Sequence, residues 1–171
     1  MKMKNIKLFS LLLILSIFGF SSCQNKESKA EVAETEIMGG KVFESNKEDS
    51  IVHITLHSDD KLRFDIEEIT VYEGQTIQLT LKHEGTMPST AMGHNFVLKE
   101  NGVPLFDFGE KAMRSVNTGY LPEENVIVGS TVIGGGETTT VEFKAPKKGS
   151  YDYLCTFTGH YPVMNGRFIV K

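Results

Sequence analysis

Residues 150–170 read SYDYLCTFTGHYPVMNGRFIV, and this stretch decides the fold. Two strand-like runs, Ser150–Cys155 and Gly166–Val170, enclose a loop bearing a thiol, an imidazole and a thioether on Cys155, His160 and Met164. With Cys155 ending one strand and Met164 near the start of the next, the turn between them brings all three side chains round one point.

Working outward, the same extended pattern recurs. Val52, Ile54 and Leu56 alternate with His53, Thr55 and His57, and Ile77, Leu79 and Leu81 alternate with Gln78, Thr80 and Lys82. Further runs are Arg63–Tyr72, His94–Leu98, Val126–Ile133 and Thr138–Lys144. Turn signals separate them at Ser58-Asp59-Asp60, Glu73-Gly74, Glu84-Gly85, Gly134-Gly135-Gly136, Lys148-Gly149 and Asn165-Gly166. About eight short strands with regular turns predict an all-β chain, an antiparallel sandwich or barrel. Lys99–Glu124 breaks the pattern. It holds one helical candidate, Gly109–Val116, and so long an excursion in a small β domain carries a helix or covers a site.

The chain has 171 residues, 40% hydrophobic and 23% charged, ordinary for a soluble globular domain. That composition excludes a multi-pass membrane protein, a long disordered chain and a disulfide-dense mini-protein. The net charge of −4 argues against a nucleic-acid partner. Lys2, Lys4 and Lys7 precede Leu8–Phe20, an apolar run too short to span a bilayer comfortably but suited to a signal-peptide core. Ser21 and Ser22 then lead into Cys23, an order that resembles a bacterial lipoprotein signal in which the cysteine receives lipid. The competing reading is an ordinary secretory signal that leaves Cys23 a free thiol. Residues 1–22 are therefore expected to be a removed signal. Residues 23–49, rich in Glu, Lys, Ser, Asn and Gly, read as a flexible tether with a lipid-anchored Cys23, and residues 50–171 as one domain. The expected location is exported and periplasmic, anchored to a bacterial membrane, with the outer membrane favoured.

Cys155, His160 and Met164 form the order Cys-x4-His-x3-Met, and His94 lies far upstream in Met92-Gly93-His94-Asn95. With 2 Cys, 5 His and 7 Met in 171 residues, chance produces that order about 0.002 times. One thiolate and two imidazoles offer a trigonal set, and a thioether adds a weak axial contact. This is the ligand arrangement of a blue-copper electron-transfer site. The plain alternative is a buried cysteine, a surface histidine and a core methionine. His53 and His57 share a strand face and read as solvent-facing rather than as a second metal site. Acids such as Glu123-Glu124 read as solvated, with no pair placed for acid–base chemistry.

The segments Ala91–Leu98 and Cys155–His160 are similar to the copper-binding segments of the azurin group of cupredoxins, and the similarity runs from about Leu62 to Lys171. It includes Ile69-Thr70-Val71, Tyr120-Leu121, Val132-Ile133-Gly134 and Met164–Phe168. The resemblance implies an eight-stranded Greek-key β-sandwich in which Lys99–Glu124 is a flap with a short helix. It implies His94, Cys155 and His160 as strong copper ligands, Met164 as the long axial contact and the Gly93 carbonyl as the opposite weak one. Asn95 would tie the two ligand loops, and Phe157 would shield the copper and offer its N–H to the thiolate. His83 stands where a partly buried, pH-responsive histidine is often found. Three departures are visible. Thr158 replaces a usual proline, Phe96 replaces a common tryptophan, and the family's disulfide has no counterpart.

These features imply one type 1 copper per chain and transfer of single electrons, not an enzyme. The expected partners are redox proteins such as a c-type cytochrome, a cytochrome peroxidase or a copper nitrite reductase, with a membrane reached through the lipid anchor. Met87, Met92, Pro162 and Val163 would form an apolar docking patch round a His160 ring edge that faces solvent. A periplasmic copper-binding protein for storage or delivery is the alternative. A Cys–His enzyme on Cys155 and His160 is disfavoured, because it gives Met164 and His94 no role.

Overall fold

A computed structural model describes residues 40–171. The strands are β1 (Lys41–Glu44), β2 (Ile51–Ser58), β3 (Ile66–Val71), β4 (Thr76–His83), β5 (Val97–Lys99), β6 (Val126–Gly129), β7 (Thr138–Lys144), β8 (Gly149–Leu154) and β9 (Asn165–Val170). Two short helices, α1 (Ser89–Met92) and α2 (Leu105–Arg114), and a 3-10 turn at Val116–Thr118 interrupt them.

The strands form two sheets. One runs β1-β3-β9-β8-β5-β6 and the other β2-β4-β7. The alternation along β2 buries Val52, Ile54 and Leu56 and leaves His53 exposed, as a strand with one wet face requires. β4 repeats this with Ile77, Leu79 and Leu81, all fully buried. These side chains pack with Ile69, Val71, Tyr153 and Phe168 of the larger sheet and with Phe96 just before β5, and together they form the core of a β-sandwich. Phe96 fills the centre, with its ring 5.5 Å from Tyr153 and 6.5 Å from Phe143.

Each strand-like run of the sequence contains a strand, and β1 is additional. The tether expected to reach Asp49 therefore ends earlier, because Lys41–Glu44 pairs in parallel with β3. The sequence hides this strand: it is four residues long and only Phe43 is apolar and fully inside, at 4% exposure. A buried polar group completes the attachment. Gln75 accepts from Ser45 Oγ (2.9 Å) and Tyr72 N (2.8 Å) and donates to the carbonyls of Asn46 (2.9 Å) and Asp49 (2.7 Å). The signal at residues 1–22 and the lipid site at Cys23 lie outside the described residues. The flap helix also differs in position, since α2 starts at Leu105 and ends at Arg114 rather than spanning 109–116. It begins directly after Pro104, whose fixed φ suits a helix entrance. Its inner face presents Phe108 and Ala112 to Val97 and Leu154, a second and smaller core.

Candidate metal centre

Cys155 follows the last residue of β8, and its N–H donates to the Met164 carbonyl at 2.9 Å, which closes the loop at its base. Within the loop the N–H groups of Val163 and Met164 both donate to the His160 carbonyl, at 3.1 and 2.9 Å. His94 reaches the same point from the other side. It is held by a two-way backbone bridge with Ile133, 2.9 Å in each direction.

The three side chains converge. Cys155 Sγ lies 3.8 Å from His94 Nδ1 and 3.6 Å from His160 Nδ1, and the two Nδ1 atoms are 3.3 Å apart. A point equidistant from all three is about 2.1 Å from each, close to ordinary metal–nitrogen bonds of about 2.0–2.1 Å and metal–sulfur bonds of about 2.3 Å. Among the described residues these form the one group of His, Cys and acidic side chains with metal-ligand spacing. The donor set fits a copper ion: soft thiolate with two borderline imidazoles, all buried.

The tautomers agree with that use. His94 Nε2–H donates to the Asp59 carbonyl at 2.9 Å, so Nδ1 keeps its lone pair for the centre. Burial lowers the His94 pKa, although the Asp59 carbonyl opposes it, and burial followed by the charges of His94 and His83 brings His160 down to about 4. Both rings are therefore neutral and free to ligate at neutral pH. Burial pushes the Cys155 thiol up to about 12, while the backbone N–H groups of Asn95 and Phe157 pull it the other way by favouring the thiolate. A metal must displace that proton, and the two N–H groups receive the charge that remains.

Gly93 turns its carbonyl to the thiol, 3.9 Å from Sγ. A Cβ there would sit 2.4 Å from the Ser89 carbonyl oxygen, so glycine is required for this close approach. Met164 is fully buried in the core cluster that contains Cys155. Asn95 Nδ2 donates to Thr156 Oγ1 and Asn95 Oδ1 accepts from Thr156 N, both at 2.8 Å, so the side chain joins the two ligand segments. The Phe157 ring packs 4.9 Å from His160. His83 is fully buried and stacks on His94 at 4.4 Å. It accepts at Nδ1 from Gly85 N (3.0 Å) and donates from Nε2 to the Met92 carbonyl (3.0 Å).

Other details were not legible in the sequence. His160 is only 5% exposed, so the expected solvent-facing edge is narrow. Met87 (40%) and Val163 (65%) are exposed as the patch requires, whereas Met92 is half-buried. The Asp59 carbonyl accepts from His94 Nε2 and the Tyr120 carbonyl accepts from the Thr156 hydroxyl at 2.8 Å, and no motif announces either backbone oxygen. His57 is half-buried and pairs with Glu84 at 2.8 Å; it lies outside the metal group.

With this geometry in place, residues 51–171 match the model of the copper-binding proteins of the plastocyanin/azurin family. The chain belongs to that family. Auracyanin-A of Chloroflexus aurantiacus is 37% identical over 118 residues, 66% of this chain and 69% of the relative. Azurin of Pseudomonas fluorescens biotype C is 33% identical over 126 residues, 69% of this chain and 97% of the relative. Outer membrane protein H.8 of Neisseria gonorrhoeae is 36% identical over 120 residues, 66% of this chain and 64% of the relative. The solved structure of auracyanin A, a "blue" copper protein, superimposes with a TM-score of 0.64 at 32% identity, covering 71% of this chain and 99% of that one. The cofactor of this cupredoxin is copper, and its sandwich is the family's. No helix among the described residues is long and apolar enough to cross a membrane.

Proposed function

We propose that this cupredoxin is a single-electron carrier of the bacterial periplasm. The observation that carries the reading is the ready-made triangle of His94 Nδ1, Cys155 Sγ and His160 Nδ1, with sides of 3.3 to 3.8 Å. Copper held there supplies a one-electron couple between its +1 and +2 states. The chain's part is to keep the donors still. The Asp59 carbonyl locks the His94 ring, Asn95 and Thr156 lock the two ligand segments together, and the backbone N–H groups of Asn95 and Phe157 face the sulfur. By the family resemblance, Met164 and the Gly93 carbonyl, which lies 3.9 Å from Cys155 Sγ, would be the weak further contacts to copper. Donors that stay in place in both oxidation states need little rearrangement, so the electron passes quickly. No substrate bond forms or breaks in this role, so the chain is a carrier and not an enzyme.

The docking surface surrounds His160. Residues 85–93 and 155–165 contain no Asp, Glu, Lys or Arg, and Met87, Pro162 and Val163 are exposed within them. An uncharged apolar rim fits brief docking of a redox protein such as a c-type cytochrome, a cytochrome peroxidase or a copper nitrite reductase. Lipid on Cys23 would hold the domain at a membrane, a reading supported by the cleavage-like order Ser21-Ser22-Cys23 and by similarity to a protein named as an outer membrane protein. His83 is the candidate pH-responsive group.

The test is a visible spectrum of the soluble domain titrated with Cu(II). An intense thiolate-to-copper band, bleached by ascorbate and restored by an oxidant, is the expected result. A colourless Cu(I) form that does not cycle would replace the carrier with storage or delivery.

A further inference from the structure

The loop from Cys155 to Met164 lacks the usual proline, since Thr158 stands there, exposed. Its stiffness must come from elsewhere, and Tyr161 supplies an answer. The side chain is 8% exposed and belongs to the cluster of Val97, Phe108, Ala112 and Leu154. Phe106 of α2 meets its ring edge-on at 5.7 Å. Beneath it lies Gly109 of α2, so close that a Cβ would come within 2.4 Å of the ring. Its carbonyl is held as well, by Asn165 Nδ2 at 2.8 Å.

One helix thus grips the residue after His160 and, through Phe108 and Ala112, the cluster containing Leu154, the residue before Cys155. Resting on the carrier reading, we propose that Tyr161, clamped between α2 and Asn165, is the positioning residue that fixes His160 relative to Cys155. The flap is then part of the copper centre's rigidity. A ring seated over a glycine cannot slide without lifting off the helix, because packed interiors leave no slack for sub-ångström shifts. The contact is steric, and among the described residues the Tyr161 hydroxyl makes no hydrogen bond.

The steric origin gives the test its contrast. Tyr161→Phe should match the parent in visible spectrum, potential and self-exchange rate. Tyr161→Ala should slow copper self-exchange at least tenfold and, by admitting water that favours Cu(II), change the Cu(II)/Cu(I) equilibrium about tenfold, a fall of 59 mV in midpoint. Gly109→Ala keeps every ligand and favours the helix, yet it should displace the ring and slow self-exchange several-fold while the apoprotein stays folded. In the apoprotein, NMR relaxation dispersion at the His160 amide should grow in Tyr161→Ala and Gly109→Ala but not in Tyr161→Phe. That readout needs no copper, so it separates this idea from failure of the carrier reading, which a colourless parent protein would signal. Unchanged exchange, potential and dispersion in Gly109→Ala would overturn the proposal, even if Tyr161→Ala proved too unstable to study. A fall in melting temperature alone in Tyr161→Ala would also overturn it.

Discussion

His94 Nε2 lies 2.9 Å from the carbonyl oxygen of Asp59, a residue 35 positions earlier in the chain. The contact joins the turn after β2 to a ligand in the segment that leads into β5 of the facing sheet. It also selects which imidazole nitrogen is left for copper. The apoprotein should therefore hold His94 with its proton on Nε2 at neutral pH. Long-range nitrogen-15 correlation spectra report the tautomer directly, and a proton on Nδ1 would contradict the arrangement.

Removing the thiol should remove the colour. Cys155→Ala is expected to give no thiolate-to-copper band at any Cu(II) concentration, while the apoprotein loses only about 1 kcal/mol, since a small buried group is exchanged for a smaller one. A blue product from this variant would show that the sulfur is not a ligand. Met164→Gln should remain coloured with a shifted potential, because the axial contact is weak.

Asn95 is buried and makes two 2.8 Å hydrogen bonds to Thr156. Replacing it with Ala leaves the Thr156 N–H without its partner inside the protein. The expected cost is about 2–3 kcal/mol in urea unfolding of the apoprotein. A loss under about 0.5 kcal/mol would mean that the link contributes little.

The His160 pKa sets a pH window. It is depressed to about 4 by burial and by the charges of His94 and His83, against an ordinary value of 6.5. Between those values the unfolded chain binds the proton and the native chain does not. Stability from this group is therefore complete above pH 6.5 and is lost as pH falls toward 4, by roughly 3 kcal/mol in the apoprotein. Copper on Nδ1 competes with the proton, so loaded protein should resist acid better. Equal acid sensitivity of the apo and loaded forms would contradict this.

A chain that starts at residue 50 should fold less well than one that starts at residue 40. The shorter form lacks β1, the buried Phe43 ring and the Ser45 partner of Gln75. Losing a buried aromatic side chain alone costs about 3 kcal/mol. Thermal melts of the two chains measure the difference, and equal midpoints would make β1 dispensable.

Much of the fold could be read locally. The alternation in Val52–Leu56 and Ile77–Leu81 depends only on which side of an extended chain each residue occupies, so it survives without knowledge of the partner strand. β1 gave no such signal. A four-residue strand with one core residue depends on pairing with β3, on the seat of the Phe43 ring in the core and on the Gln75 contacts just after it, all with partners distant in sequence. The start of α2 is likewise illegible in the sequence, because Leu105 and Phe106 carry no helical signal of their own and are seated by Tyr161 and the second core.

The sequence by itself determined the β class, the spacing Cys-x4-His-x3-Met and the donor types, hence the choice of metal. These are properties of composition, of one loop and of the short segment round His94. Tertiary structure alone decided that both histidines present Nδ1, that the Asp59 carbonyl and Thr156 hydroxyl hold the ligand segments, and that α2 packs against Tyr161. Each of those facts is a contact between segments far apart in the chain. Its energy exists only after the two sheets have closed on their core.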